Sequence, residues 1–325
     1  HSRLSSMIEL APRHKYGLSL TSPVMPAAGA FGYGDAYQDL VEFDSLGAIV
    51  TNPVSMRPRH VAGGRRMAVH GHHFVVHTGW PNPGLRRLVR QVGPLWARMP
   101  VPVIVHLLAT RPVEIAQAAA RLSGIQGVRG IELGFREEIA ADAACESLAA
   151  AAEEGDLPVI AKIPFGREAD LVPALVAAGV DAVTLSSPPR DVLPLAVGSV
   201  KEGVARFIRG RLYGRALFPM LLYTLSRWVR EIPVPVIACG GIASGADALT
   251  CLTLGAAAVQ IDALLWRDPT LLTEISKTCL APQPAVEADA YGGDPGVLSR
   301  QAEDWGAEPI DGWLPYDAAV DEEEP

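Results

Sequence analysis

Short apolar runs recur eight times along the chain, each bounded by Gly, Pro or polar residues and each followed by a stretch of helical periodicity. They are Val24 to Ala28, Gly47 to Thr51, Val101 to Leu107, Gly130 to Leu133, Val159 to Ile163, Ala182 to Ser186, Val236 to Cys239 and Ala257 to Ile261. Most are continuous rather than alternating, the pattern of parallel strands buried on both faces. The stretches between them carry helix punctuation. Thr110-Arg-Pro112 opens Val113 to Leu122 with proline in the first turn, and Ser244-Gly-Ala-Asp247 opens Ala248 to Leu254, which stops at Gly255. This regular alternation predicts an α/β fold, a TIM (β/α)8 barrel. Ile8 to Leu10 and Tyr16 to Leu20 bracket the polar Arg13-His14-Lys15 and predict an N-terminal hairpin that plugs the bottom of the barrel.

Two connections exceed ordinary loops, Pro53 to Pro100 and Ser187 to Pro219, and both are expected over the C-terminal mouth, where barrels of this kind keep their chemistry. Beyond about Cys279 the periodicity stops. The expected plan is a barrel over residues 1–280 and an irregular, acidic C-terminal tail over 281–325, whose Tyr291, Trp305, Trp313 and Tyr316 predict docking on the barrel or on a protein partner.

Composition fits that plan: 325 residues, 49% hydrophobic and 20% charged, support one large core. The net charge of -8 is uneven, because the tail holds twelve Asp or Glu against Arg300 alone, a net of -11, and leaves +3 on the rest. No basic footprint exists for nucleic acid. Cys145, Cys239, Cys251 and Cys279 form neither a C-x-x-C pair nor a zinc spacing, which predicts reduced thiols and a cytoplasmic setting. No run approaches the roughly 18 apolar residues of a membrane span. His1 to Ser6 read as vector-derived, with Met7 as the start.

Several motifs, in order and spacing, resemble the dihydroorotate dehydrogenase family of flavin barrels from about Leu18 to Trp266. They are Pro23-Val-Met-Pro-Ala-Ala-Gly-Ala-Phe-Gly-Tyr-Gly34, Leu46-Gly-Ala-Ile-Val-Thr51 with Arg57-Pro-Arg59, Gly79-Trp-Pro-Asn-Pro-Gly84, Pro158-Val-Ile-Ala-Lys162, and Gly240-Gly-Ile with Gly255-Ala-Ala-Ala-Val-Gln260. The resemblance implies an FMN over the barrel mouth, hydride transfer to or from a planar small-molecule substrate, a setting in pyrimidine biosynthesis and a homodimer. It places Ala27, Ala28, Gly29, Thr51, Asn52, His106, Lys162, Ser187, Gly214, Gly240 and Gly241 beside the cofactor. Elementary chemistry agrees at three places. Ala27, Ala28 and Gly29 lack bulk where a flat ring approaches the backbone. Lys162 ends the fifth strand, where an ammonium stabilises negative charge on a reduced ring. Gly240 and Gly241 offer bare N–H groups to a phosphate, backed by Ser244 and a helix start.

Departures from the family pattern concentrate on the substrate. The catalytic loop after the fourth strand, which in the family supplies Asn and then a Cys base, reads Gly134-Phe-Arg-Glu-Glu138 here. A lysine is replaced by Asn52, a substrate amide by Val76, the third strand's asparagine by His106, a polar pair by Ser187 and Pro188, and the small residue and Thr after the eighth strand by Asp262 and Ala263. Each lost hydrogen-bond partner weakens binding by roughly 1 to 3 kcal/mol, so a substrate other than dihydroorotate is expected. Glu137 stands at the position of the missing cysteine and is a candidate replacement base; the alternative is an acidic residue favouring a helix start. His70, His72, His73 and His77 read as a polar hairpin rather than a metal site. Arg206, Arg209, Arg211 and Arg215 read as contacts to the tail or solvent rather than to substrate. The expectation is an FMN oxidoreductase with an altered substrate. Its alternatives are a degenerate, non-catalytic barrel used for binding or assembly, and a non-flavin barrel acting on a phosphorylated metabolite.

Overall fold

β-Branched residues dominate the apolar runs, and their stiff side chains suit strands packed on both faces. In the computed structural model, which describes residues 7–194 and 207–282, the chain opens with a hairpin of β1 (Ile8–Glu9) and β2 (Ser19–Leu20), followed by β3 (Val24–Pro26) and β4 (Ile49–Val50). The first long connection carries β5 (Met67–His70), β6 (His73–Val76) and the amphipathic α1 (Leu85–Trp96). Strands β7 (Val103–Leu108), β8 (Val128–Gly134), β9 (Val159–Pro164) and β10 (Ala182–Ser187) then alternate with α2 (Pro112–Ser123), α3 (Ala141–Glu154) and α4 (Glu168–Ala177). The second long connection carries β11 (Arg190–Pro194) and β12 (Phe207–Gly214) before α5 (Leu217–Trp228). The chain finishes with β13 (Val236–Cys239), α6 (Gly245–Leu254), β14 (Ala258–Ile261) and α7 (Leu271–Leu280).

The eight barrel strands lie in the order β3-β14-β13-β10-β9-β8-β7-β4, all neighbours parallel. At the seam between β3 and β4, Gly47 N donates to Val24 O at 2.8 Å. Gly47 sits so close to the Ser22 carbonyl that a Cβ would overlap it, so this glycine lets the seam close. All eight expected strands are therefore present, within a residue or two at their ends.

Inside the barrel, Leu10, Leu18 and Leu20 of the opening hairpin pack with Met25, Ile104, Ile160 and Ile237 from four barrel strands, so the hairpin plugs one end as expected. Glu9 clasps it: Oε1 accepts from Ala11 N at 2.8 Å and Leu18 N at 2.5 Å, and Oε2 from Ser19 Oγ at 2.6 Å. A larger cluster joins the outer faces of the strands to the helices, with Trp96, Phe31 and Leu85 fully buried in it.

The two long connections do more than cover the mouth. They zip together into one antiparallel sheet of order β11-β12-β6-β5, with Arg211 opposite Val76 and Gly214 opposite His73. The histidine-rich segment is the β5–β6 hairpin, with the His70 and His73 rings 5.4 Å apart across it. Among the described residues no helix is long and apolar enough to cross a membrane. The expected docking of the tail and the expected contacts of Arg206 lie outside the described residues.

Candidate functional site

Strands β7, β9, β10 and β14 each send a polar side chain to Glu132 of β8, and β13 adds Cys239 beside Lys162. This fully buried carboxylate takes His106 Nδ1 at 2.6 Å on Oε2, and Thr184 Oγ1 at 2.8 Å and Gln260 Nε2 at 2.6 Å on Oε1. Lys162 Nζ stands 3.9 Å from it and donates to Gln260 Oε1 at 2.6 Å and towards Cys239 Sγ at 3.6 Å. Burial alone would raise the carboxyl pKa, but Lys162 and His106 reverse this and hold Glu132 down to about 2. For Lys162 burial favours the neutral amine, yet the Cys239 sulfur and the Glu132 carboxylate keep its pKa above the usual value. The floor of the mouth is thus a buried anion–cation pair.

Two departures from the family pattern prove to be one. A Cβ on Gly134 would overlap the His106 ring, so the imidazole occupies the volume that a side chain at 134 would need. His106 replaces asparagine, and glycine makes room for it. Thr51 supports the same strand end by accepting from His106 N at 3.1 Å while donating to Asn52 O at 3.1 Å. Asn52 Oδ1 accepts from Gly32 N at 3.1 Å and so fixes the loop after β3.

Above this floor lie two small adjoining hollows. One, of about 40 Å³, is lined by Ala28, His106, Lys162, Ser187, Pro188 and Phe135 among others. The other, of about 150 Å³, is lined by Gly29, Asn52, Thr78 and Trp266. Ala28, Pro53, Trp80, Arg211 and Tyr213 line both. Ser187 Oγ is buried and has no hydrogen-bond partner. Arg211 rests 5.6 Å over the Trp80 ring, so these lid side chains divide the mouth. Ala27 is buried, and its N–H serves Ile261 O at 2.7 Å across the β3–β14 pair.

At the β13–β14 corner one of the two expected phosphate donors, the Gly241 amide, is already engaged. Gly241 N donates to Asp262 Oδ2 at 3.3 Å, Ala243 N to Asp247 Oδ2 at 2.9 Å, and Asp247 N to Ser244 Oγ at 3.2 Å. Arg215 pairs with Asp247. Burial pushes the Asp262 carboxyl up, against the Gly241, Leu264 and Ala263 amides and Lys162, and its Oδ1 has no partner. Tyr213, stacked on Phe74 at 5.7 Å and tilted against Trp266 at 5.5 Å, lies over the mouth. Asp262 and Asp247 thus hold the Gly241 and Ala243 amides, while the hollows beside Lys162 are small and divided by Trp80 and Arg211. Gly240 keeps open space around its Cα, with nothing nearer than 3.9 Å to a Cβ.

Other expected residues fall elsewhere. Glu137 does not line either hollow; its Oε1 takes Arg211 Nη1 at 2.5 Å and Arg190 N at 2.8 Å, bracing the lid. Gly214 lies on β12 against the His72 carbonyl, where a Cβ would overlap, so lid packing requires it. Arg209 and Arg211 join Arg59, Arg65, Arg136 and Arg190 around an open groove of about 1050 Å³ on the lid, where Arg211 and Arg190 pair with Glu137. Glu132, Gln260 and Thr184 were not singled out by the sequence. A carboxylate inside an otherwise apolar strand was the available signal, because such a group needs a buried partner.

The dihydroorotate dehydrogenase family profile matches residues 137–281. The catalytic subunit of dihydroorotate dehydrogenase B (NAD(+)) from Pelobacter propionicus is 31% identical over 275 residues, covering 80% of this chain and 89% of that protein. The subunit of the same description from Desulforudis audaxviator is 31% identical over 259 residues, covering 75% and 83%. That from Porphyromonas gingivalis is 27% identical over 272 residues, covering 80% and 88%. With the barrel, the strand-end lysine and this similarity along most of both chains, the protein belongs to the dihydroorotate dehydrogenase family.

Proposed function

We propose that the protein is an oxidoreductase of the dihydroorotate dehydrogenase lineage with a changed substrate, seating a flat heteroaromatic redox ring over the mouth. The observation that carries this reading is the Lys162 ammonium, 3% exposed and neutralised by Glu132, under a hollow walled by Ala28 and the unpartnered Ser187 hydroxyl. A flavin ring, when bound, supplies hydride chemistry. Lys162 holds negative charge at the floor, and Glu132 keeps it charged.

Proton handling falls to His106. Glu132 engages Nδ1 and fixes the ring, leaving Nε2 to exchange a proton with substrate, as in other carboxylate–imidazole pairs. This replaces the missing cysteine more economically than Glu137, which the lid arginines hold. The walls Leu108, Phe135, Pro53 and Pro188 offer a substrate few hydrogen bonds, which disfavours dihydroorotate and favours a less polar ring. Entry of any ring requires Trp80 and Arg211 to swing aside.

The test is a titration of the full-length protein with lumiflavin, the bare tricyclic ring. Binding is expected to quench its fluorescence and perturb its visible bands. A free-ligand spectrum at saturating protein would sink the proposal. The engaged amides at Gly241 would then favour the second reading, a barrel retained for binding or assembly.

A further inference from the structure

We infer that the arginine groove on the lid is a binding site for the multivalent oxyanion, phosphate or carboxylate, of a small ligand. The site lies beside the mouth, and the inference is independent of the ring seat proposed above.

Arg59, Arg65, Arg136, Arg190, Arg209 and Arg211 line the groove against one lining carboxylate, Asp191, whose Oδ1 accepts from Val192 N at 2.7 Å. Arg211 and Arg190 share Glu137, and Arg190 also pairs with Glu138. Among the described residues, Arg59, Arg65, Arg136 and Arg209 have no carboxylate within ion-pair distance. Uncompensated guanidinium groups around one concavity repel one another, and a cleft lined by one sign of charge gathers the opposite ion. The arginines come from separate stretches of chain: Arg59 and Arg65 precede β5, Arg136 follows β8, Arg190 opens β11, and Arg209 and Arg211 lie on β12. The fold, not a local basic run, assembles the groove.

Two of the six are held in place before any ligand arrives. Arg59 is bridged to Asn82 through its backbone, N to O at 2.9 Å and O to N at 3.1 Å, and its Nε donates to Gly79 O at 3.2 Å, which leaves the terminal nitrogens for a ligand. Arg211, 9% exposed, is fixed by Glu137, by the Pro188 carbonyl at 2.7 Å and by the Trp80 ring. Guanidinium forks match the oxygens of phosphate and carboxylate two at a time. At about 1050 Å³ the groove has room for a small molecule. Trp80 and Arg211 line it and both hollows, so its occupant lies against the side chains that divide the mouth.

Calorimetric titration of the full-length protein with inorganic tripolyphosphate and with citrate, in about 0.15 M salt, tests this. At least one of the two is expected to bind, and the tighter one assigns the ligand's anion to phosphate or to carboxylate. Arg136→Gln/Arg209→Gln, which removes two exposed and unpaired groups, is expected to weaken that anion by roughly tenfold or more. Arg86→Gln/Arg87→Gln, at exposed positions of α1 outside the groove, is expected to leave its affinity unchanged. No binding of either anion, unchanged affinity in the groove variant, or equal weakening in the α1 variant would overturn the inference. On the wild type alone, the bound anion is expected to shield Arg136 and Arg209 from modification by phenylglyoxal, read by mass spectrometry; modification at the unprotected rate would overturn it as well.

Discussion

Glu132 decides the character of the mouth, since three hydrogen bonds and an ammonium converge on its two oxygens. Replacing it with Gln leaves Lys162 buried without a counter-charge, and the expected loss is roughly 3 to 5 kcal/mol, read from the denaturant midpoint. The pH dependence follows from its depressed pKa: the folded carboxyl titrates at about 2 against an ordinary 4.5. Its contribution, roughly 3 kcal/mol, is complete above the ordinary value and is lost as pH falls towards the folded one. Stability of the wild type should therefore drop across that acidic window more steeply than that of Glu132→Gln. His106 and Gly134 make a second residue-scale test. Because the ring fills the space above the glycine, His106→Asn and Gly134→Asn should each destabilise, and the double variant should cost less than their sum by roughly 1 kcal/mol or more. Strict additivity would show that the two substitutions are unrelated. Lys162 was legible in the sequence because it ends an apolar strand. Asp262 was legible as a departure, but only coordinates show that it turns inward onto Gly241.

Among the elements, the barrel strands were legible because burial on both faces leaves a local, continuous apolar signature. The lid sheet was not. Its central pairing joins Val76 to Arg211, and pairing between segments so distant along the chain leaves no mark in local periodicity. The sequence placed both connections over the mouth but had no means to register one against the other. The β6–β12 contact depends on Gly210, where a Cβ would overlap the Val76 carbonyl. Gly210→Ala is accordingly expected to push β12 off β6, by a change of roughly 1 to 3 kcal/mol confined to the lid. Limited proteolysis should then cut the long connections well before the barrel, whereas an unchanged digestion pattern would mean the lid does not rely on that approach. Glu137 belongs to this scale as well, because its pairs with Arg211 and Arg190 join the β8–α3 loop to the lid.

Across the whole molecule the barrel divides into an apolar end and a polar one. Leu10, Leu18 and Leu20 seal the first with no charged side chain among them, while the second gathers Glu132, Lys162, His106 and Asp262 under a lid rich in arginine. This division keeps stability and chemistry at opposite ends, as is general for such barrels. Family membership accounts for the barrel, and the proposed change of substrate rests on the engaged Gly241 amide and on the apolar walls Leu108, Phe135, Pro53 and Pro188. The most direct measurement is the dissociation constant of lumiflavin for the wild type beside Lys162→Met, determined by fluorescence in phosphate-free buffer. Measurable binding to the wild type, weakened by roughly tenfold or more without the ammonium, is the expected result; equal affinities, or no binding to either protein, would contradict a ring seated over Lys162.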